Sequence, residues 1–137
     1  MTPAELLERY AAAAHGKDVE AFLALYADDV RTFDLWERWS YDGLGELRPM
    51  VEDWFGSLGD ELVAVEFDEV REQTGDQLAF ISAFTTFRGL SAEGEELRSM
   101  NNRLTWVLRK DGADEWKIVH EHTSAPAGDE GKVLLKR

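Results

Sequence analysis

The 137-residue chain has the length of one domain, and its 44% hydrophobic content excludes a disordered protein. It contains no cysteine, which excludes disulfides and thiolate metal sites, and its net charge of -13 disfavours binding to nucleic acids or anionic membranes. We expect a cytoplasmic protein, because the N-terminus lacks the pattern of a signal peptide and no stretch approaches the roughly 18 apolar residues of a membrane helix.

The N-terminal half of the chain predicts three helices and one short strand. A capping-box pattern at Thr2 to Glu5 begins a helix near residues 3–15. Asp18 caps a second helix, over 18–27, which ends at Asp28-Asp29, and a strand follows at 30–36. The third helix, near 45–58, has the most regular apolar face, formed at spacings of three and four by Leu47, Met50, Val51, Trp54, Phe55 and Leu58.

After Gly59 the apolar pattern changes to a period of two, which is typical of strands. Four long strands are predicted, at residues 62–72, 77–88, 97–110 and 115–124. Long antiparallel strands with helices on one side form an α+β fold, and strands of this length must twist and curl. Helices packed on the concave face would enclose a pocket. We assign residues 1–126 to this domain and 127–137 to a loose C-terminal tail.

Two stretches of the chain resemble proteins of known family. The first runs from Leu7 to Asp34, with a G-x-D between its helices and Y-A-D-D before its strand, and it is similar to the N-terminal half of ketosteroid isomerase and its SnoaL-like relatives. The second runs from Arg103 to Pro126 and contains W-x-x-V-H-x-H-x-S. It resembles the last two strands of SnoaL-like proteins and of the calmodulin-dependent kinase association domain.

Together these stretches identify residues 4–126 as similar to the SnoaL-like, ketosteroid-isomerase-like members of the nuclear transport factor 2 (NTF2-like) superfamily. The resemblance implies a cone of three N-terminal helices on a strongly curved, mostly antiparallel sheet that encloses a pocket. The superfamily contains isomerases, cyclases, hydratases, hydrolases and non-enzymatic domains, so the fold leaves the function open.

The alignment with ketosteroid isomerase implies that Asp34 is the general base and Tyr10 the tyrosine that stabilises the enolate. A carboxylate in an apolar pocket is a stronger base than one in water, and a phenol can donate to a developing oxyanion. Two departures count against steroid isomerisation: residues 99–105 contain no acid, and no proline follows Asp34. The alternatives are a core role for Tyr10, and a loop cap or an ion pair with Arg103 for Asp34.

The motif His120-x-His122 forms a second candidate cluster, because residues two apart on a strand share a face. If that face is concave, Arg103 on the preceding strand would join the histidines in holding a carboxylate or enolate. We predict His122 as catalytic, and Arg103 and His120 as substrate-binding. The alternatives are a hydrogen-bonded structural cluster with Asp34 or Glu121 as counter-ion, side chains that face outward, and a metal site completed by Asp34. We expect neither metal nor cofactor.

The tryptophans suggest a ligand surface and a dimer surface. Trp54, on the apolar face of the third helix, and Trp36, in the loop over the pocket mouth, are predicted to bind substrate. Trp106 has the opposite strand parity to Arg103, so we place it on the outer sheet face with Leu104 and Leu108, where a homodimer would form.

The sequence as a whole favours a domain that binds a small organic molecule, apolar in body with a carbonyl or carboxylate group. An enzyme of this kind would perform acid–base chemistry without a cofactor, as an isomerase, cyclase or hydratase. The alternative is a non-catalytic module for ligand binding or oligomerisation. No nucleic-acid or membrane partner is expected.

Overall fold

A computed structural model describes residues 1–112 and 114–137. Its three helices are α1 (Glu5–His15), α2 (Val19–Leu23) and α3 (Leu44–Ser57). Its six strands are β1 (Tyr26–Phe33), β2 (Tyr41–Asp42), β3 (Leu62–Thr74), β4 (Leu78–Leu90), β5 (Glu96–Lys110) and β6 (Trp116–Ser124). Within the described ranges, no helix is both long enough and apolar enough to cross a membrane.

The six strands form one open mixed sheet in the order β2-β1-β6-β5-β4-β3. All neighbours are antiparallel except β1 and β6, which run parallel. The helices pack on one face of this sheet, which confirms the predicted α+β architecture. We call the face under the helices the inner face and the opposite one the outer face.

The core lies between the helices and the inner face, and aromatic rings fill its centre. Phe22 of α2 lies against Tyr10 at 4.8 Å and against Phe55 at 5.5 Å between ring centroids, and it is only 2% exposed. Edge-to-face and tilted ring contacts of this kind add to the stabilisation from apolar burial. These contacts hold α1, α2 and α3 together over the sheet.

The sequence placed the end of the second helix too late. The structure ends α2 at Leu23 and begins β1 at Tyr26, so the prediction that Asp28-Asp29 ends a helix is wrong. Residues from Tyr26 onward form a strand instead of continuing the helix, because Tyr26 packs into the core and pairs with Ile118 of β6. Sheet pairing overrides the local helical pattern here. The predicted N-cap is correct, since the Asp18 carboxylate accepts the Ala21 N–H at 3.0 Å.

A β-bulge in β6 decides which of its side chains face the core. Leu108 of β5 pairs with Ile118, and Val107 pairs with His120, so Val119 is one extra residue on β6. An extra residue reverses the alternation of side chains beyond it. Ile118 therefore faces inward before the bulge, and Glu121 faces inward after it.

The outer face is not covered by the side chains predicted to line it. Leu104, Trp106 and Leu108 are 5%, 0% and 0% exposed and belong to the core, so their placement on an outer dimer surface is wrong. The prediction that Trp106 and Arg103 lie on opposite faces of β5 is correct, but Trp106 faces inward and Arg103 outward, the reverse of what was predicted. The outer face instead carries Val107 and the 41% exposed Phe80, which pair across β4 and β5.

The segment 127–137, predicted as a loose tail, returns to the sheet. Ala127 and Val133 form a β-bridge, and the Leu135 carbonyl accepts the Asn101 N–H at 2.7 Å. The Arg137 guanidinium lies 3.7 Å from the centre of the Phe84 ring on β4. Backbone pairing and a cation–π contact thus fix this segment against the outer side.

Candidate active site

A cavity of about 540 Å³ lies between the helices and the inner face. Seven aromatic residues contribute to its wall, and polar or charged side chains reach it from α1, β1, β2, β4, β5, β6 and the loop after β1. The residues used below are Tyr10, Tyr26, Asp34, Trp36, Trp54, Asn102, Glu121 and Thr123. An apolar cavity with a few convergent polar groups is the usual form of a small-molecule site.

Glu121 is the most deeply placed acid of this cavity. Its Oε1 atom accepts two hydrogen bonds, from the Tyr26 hydroxyl at 2.9 Å and from the Trp106 indole N–H at 2.8 Å. No hydrogen bond within the described residues involves Oε2. Because both lone pairs of Oε1 are occupied, the proton of a neutral Glu121 must lie on Oε2.

The environment makes Glu121 a weak acid. Burial raises its pKa to about 7; the hydrogen bonds from Trp106 and Tyr26 act in the opposite direction, and the charge of Asp34 adds to the rise. Desolvation is the larger effect because the carboxyl group is almost completely buried, and its two donors compensate only part of the lost hydration. At neutral pH the site therefore contains both the neutral and the ionised form.

The two tyrosines of the site remain protonated. Burial raises the pKa of Tyr10 well above its ordinary value, and the charges of Glu121 and then Asp34 raise it further. Burial and the charge of Glu121 likewise raise the pKa of Tyr26. Both phenols are thus hydrogen-bond donors at all physiological pH values. Tyr26 donates to Glu121, whereas no hydrogen bond of the described residues uses the Tyr10 hydroxyl.

Asp34 follows directly after β1, and its side chain reaches the same cavity. Its Oδ1 atom accepts the Thr123 hydroxyl at 2.9 Å, and that hydroxyl accepts the Leu35 N–H at 3.1 Å. Thr32 of β1, two residues before Asp34, pairs with Glu121 of β6. Asp34 and Glu121 therefore lie near each other along the two neighbouring strands. Two carboxyl groups of different burial thus share one cavity with a phenol.

The aromatic wall includes both tryptophans predicted to bind substrate. Trp54 of α3 lies 5.7 Å from Phe22 and 6.1 Å from Phe87 between ring centroids. Trp36, in the loop after β1, is 46% exposed and borders the mouth of the cavity. Asn102 of β5 also lines the cavity, and its Oδ1 atom is buried without a hydrogen-bond partner among the described residues.

The predicted placement of Arg103, His120 and His122 in the pocket is wrong. All three lie on the outer face: the Val119 bulge turns both histidines outward, and Arg103 alternates with the inward-facing Leu104 on β5. Arg103 donates from Nε to Ser124 Oγ at 3.0 Å, and the histidine rings pack against Phe33 at 4.9 and 5.5 Å. None of the three therefore lines the cavity of Glu121, but His122 borders a separate, outer-face cavity together with Asp34. Among the described residues, no three acidic or histidine side chains converge as metal ligands would.

Sequence reasoning missed Glu121, Tyr26, Trp106 and Thr123. Glu121 stands between the two histidines of the motif, so the parity that placed the histidines inward placed it outward. A bulge has no reliable signal in a single sequence. The sequence does contain the donor, because the tyrosine of the Y-A-D-D motif is Tyr26, whose hydroxyl donates to Glu121.

Comparison with known proteins assigns the family. The model of the SnoaL-like domain matches residues 4–128. The chain belongs to the SnoaL-like family. No curated protein matches its sequence. The fold neighbours of this SnoaL-like domain agree, since several belong to the NTF2-like superfamily.

Three solved structures illustrate the similarity. An NTF2-like protein of unknown function from Pseudomonas putida has a TM-score of 0.84 and 24% identity, over 98% of this chain and 92% of the other. Aln2 from a Streptomyces species has a TM-score of 0.76 and 14% identity, over 90% and 92%. A putative calcium/calmodulin dependent protein kinase II association domain from Xanthomonas campestris has a TM-score of 0.71 and 20% identity, over 90% and 84%. At these identities the SnoaL-like domain shares the fold with them, and the fold alone.

Proposed function

We propose that this domain binds a small, largely apolar carbonyl compound and catalyses proton transfer on it without a cofactor, as an isomerase, cyclase or hydratase does. One observation carries the proposal: Asp34, Tyr10 and the neutral form of Glu121 meet in one aromatic cavity. Pairs of acids whose environments differ are typical of sites that use one as base and the other as proton donor.

Each group has a distinct role in the proposed reaction. The Asp34 carboxylate removes a proton from the carbon next to the carbonyl group, and the electron pair of that C–H bond moves to the carbonyl oxygen. The Tyr10 hydroxyl and Oε2–H of Glu121 donate to this oxygen as it becomes negative. Asp34 then returns the proton to the same or another carbon, so the step needs no further reactant.

The cavity wall supports the choice of an apolar ligand. Trp36, Trp54 and Phe87 line the same space that Glu121 and Asp34 border. Flat aromatic or fused-ring compounds stack on such surfaces, and burial of their apolar area is favourable. The resemblance to ketosteroid isomerase supports the same assignment for Asp34 and Tyr10, although here the neutral acid comes from β6.

Deuterium exchange of β-tetralone in heavy water tests the proposal directly. This fused-ring ketone has acidic C–H bonds next to its carbonyl group, and NMR reports the loss of each proton. The wild-type domain is expected to accelerate exchange at neutral pH, and Asp34→Asn to remove at least about 99% of the acceleration, as general-base loss typically does. The outer-face variant Ser124→Ala is the control and should exchange at the wild-type rate, because Ser124 contacts Arg103 and lines neither of the two cavities that Asp34 borders.

Two outcomes contradict the proposed reaction. If Asp34→Asn exchanges the ketone as fast as wild type, Asp34 is not the base. If the wild-type domain binds β-naphthol, seen as quenching of Trp54 and Trp36 fluorescence, but exchanges no ketone, the non-catalytic binding module is the better description.

We further propose that the domain is a cytoplasmic homodimer that pairs through the outer face and binds no nucleic acid. Phe80 and Val107 leave an apolar strip on that face. Acidic Asp68 on β3 and basic Arg103 on β5 flank Phe84 of β4 on the same face, so a two-fold pairing that places one opposite the other would match opposite charges.

Light scattering of outer-face variants tests the dimer. Val107→Glu places a charge in the strip and is expected to convert the dimer to monomer, because a buried unpaired charge is costly. Ala92→Glu adds the same charge at the exposed β4–β5 turn and should leave the dimer intact. A monomeric wild-type protein would contradict the proposal.

A further inference from the structure

The hydroxyl of Thr123 lies at the point where the β1–β6 ladder ends. The last residue pair is Phe33 with His122, after which the chain of β1 leaves the sheet. The next inward-facing position on β6 is Thr123. There the Leu35 N–H, which a longer ladder would direct to a carbonyl, donates instead to Thr123 Oγ1 at 3.1 Å.

The direction of the hydrogen bonds through Thr123 is fixed. A backbone N–H can only donate, so Oγ1 is the acceptor for Leu35 and keeps its single proton for another partner. That proton is donated to Asp34 Oδ1 at 2.9 Å. The chain of bonds therefore has one sense, from the loop backbone through the hydroxyl to the carboxylate.

We propose that Thr123 is a positioning residue that fixes Asp34 as the base and ties the loop of residues 35–40 to it. The inference rests on the proposed role of Asp34. With Oδ1 held by the hydroxyl, Oδ2 is the oxygen left to take a proton from a ligand, since no hydrogen bond of the described residues uses it. A carboxylate held at one oxygen samples fewer orientations, which favours a reactive geometry.

The same hydroxyl connects Asp34 to the mouth of the cavity. Leu35 is followed by Trp36, which lines that mouth, and the turn continues with a 2.6 Å bond from the Arg38 N–H to the Trp36 carbonyl. Leu35 is thus the first backbone anchor of the loop. A change at Thr123 should affect both the rate of proton transfer and the opening of the loop, two properties that are otherwise independent.

The experiment combines β-tetralone exchange with amide hydrogen exchange of the protein. Thr123→Val keeps the side-chain shape but removes the hydroxyl, and it should lower kcat about tenfold with little change in KM, the loss of one charge-assisted hydrogen bond. Thr123→Ser restores the hydroxyl and should recover most of the rate. The Leu35 amide should exchange about tenfold faster in the valine variant than in wild type.

Two controls separate positioning from a general loss of structure. Ser124→Ala removes the neighbouring hydroxyl on the outer face, where it accepts a bond from Arg103, and should leave the kcat for β-tetralone unchanged. In an Asp34→Asn background, Thr123→Val should cause no further loss, because two groups that act as a unit are not additive.

Each outcome decides between the possibilities. The positioning role is overturned if Thr123→Val has the wild-type kcat and the wild-type protection of the Leu35 amide. If Asp34→Asn is inactive in the same assay, the proposed function remains intact. An Asp34→Asn variant as active as wild type overturns both. Failure of Thr123→Ser to recover any rate also overturns the inference, because the hydroxyl would then not be the group that matters.

Discussion

Replacing Glu121 with glutamine tests whether this acid is held neutral by burial. The substitution preserves shape, and the glutamine carbonyl can still accept from Tyr26 and Trp106, which donate to Oε1 at 2.9 and 2.8 Å in the native protein. Glutamine does not titrate. The difference in stability between the two proteins therefore isolates the ionisation of this single carboxyl group.

The sign and size of the effect follow from the pKa. Burial raises the pKa of Glu121 from 4.5 to about 7. Below the lower value both folded and unfolded chains are protonated, and between the two values only the unfolded chain loses its proton, so stability falls as pH rises. Above the higher value the difference is constant. At about 1.4 kcal/mol for each pH unit, the wild type loses about 3 kcal/mol relative to Glu121→Gln from about pH 4 to about pH 8.

Urea denaturation of both proteins across this pH range is the measurement. The other carboxyl groups titrate in both proteins and cancel in the difference. The free energy of unfolding of Glu121→Gln, relative to that of the wild type, is expected to rise between about pH 4.5 and about pH 7 and to stay constant above about pH 7. A difference that stays flat across the range, or that favours the wild type as pH rises, would refute a raised pKa for Glu121.

Four further substitutions, one of them a control, test the surroundings of the site. Tyr26→Phe removes one donor to Glu121 and should raise its pKa further by roughly one, because a hydrogen bond to a charged group contributes about 1.5 kcal/mol or more; infrared absorption of the protonated carboxyl group follows this titration. Trp54→Ala should weaken β-naphthol binding at least about fivefold, whereas Trp39→Ala, at a residue 97% exposed, should leave binding unchanged and stability within about 0.5 kcal/mol. Phe22→Ala should destabilise the fold by about 3 to 5 kcal/mol in urea titrations, since its ring is 2% exposed; a loss below about 1 kcal/mol would contradict its central place in the core.

Much of the fold was predictable because its signals are local. The change of period after Gly59 predicted four long strands, and the structure has them at β3 to β6 with boundaries that differ by at most two residues. The helix boundary near Tyr26 was not predictable in this way. Its ring is held by the core and by a hydrogen bond to a residue 95 positions later, and such long-range contacts leave no periodic trace.

The candidate site was predictable only in part, and the division has a physical basis. Asp34 and Tyr10 were proposed from a resemblance, and the structure brings both to the cavity. The histidines were placed by counting alternate residues along a strand that contains a bulge. One extra residue at Val119 exchanges the faces of everything after it, so a correct rule produced the wrong side.

The position of β6 within the sheet explains why the weak acid lies there. A central strand has a neighbour on each side, and Glu121 receives one donor from β1 and one from β5, through Tyr26 and Trp106. An edge strand could offer only one such donor. With both donors on the same oxygen, the neutral carboxyl group has its proton on the other oxygen, and the ionised group remains hydrogen-bonded. The neutral form is the one whose Oε2–H can donate a hydrogen bond to a developing oxyanion, and the two donors hold the carboxyl group in place in either protonation state.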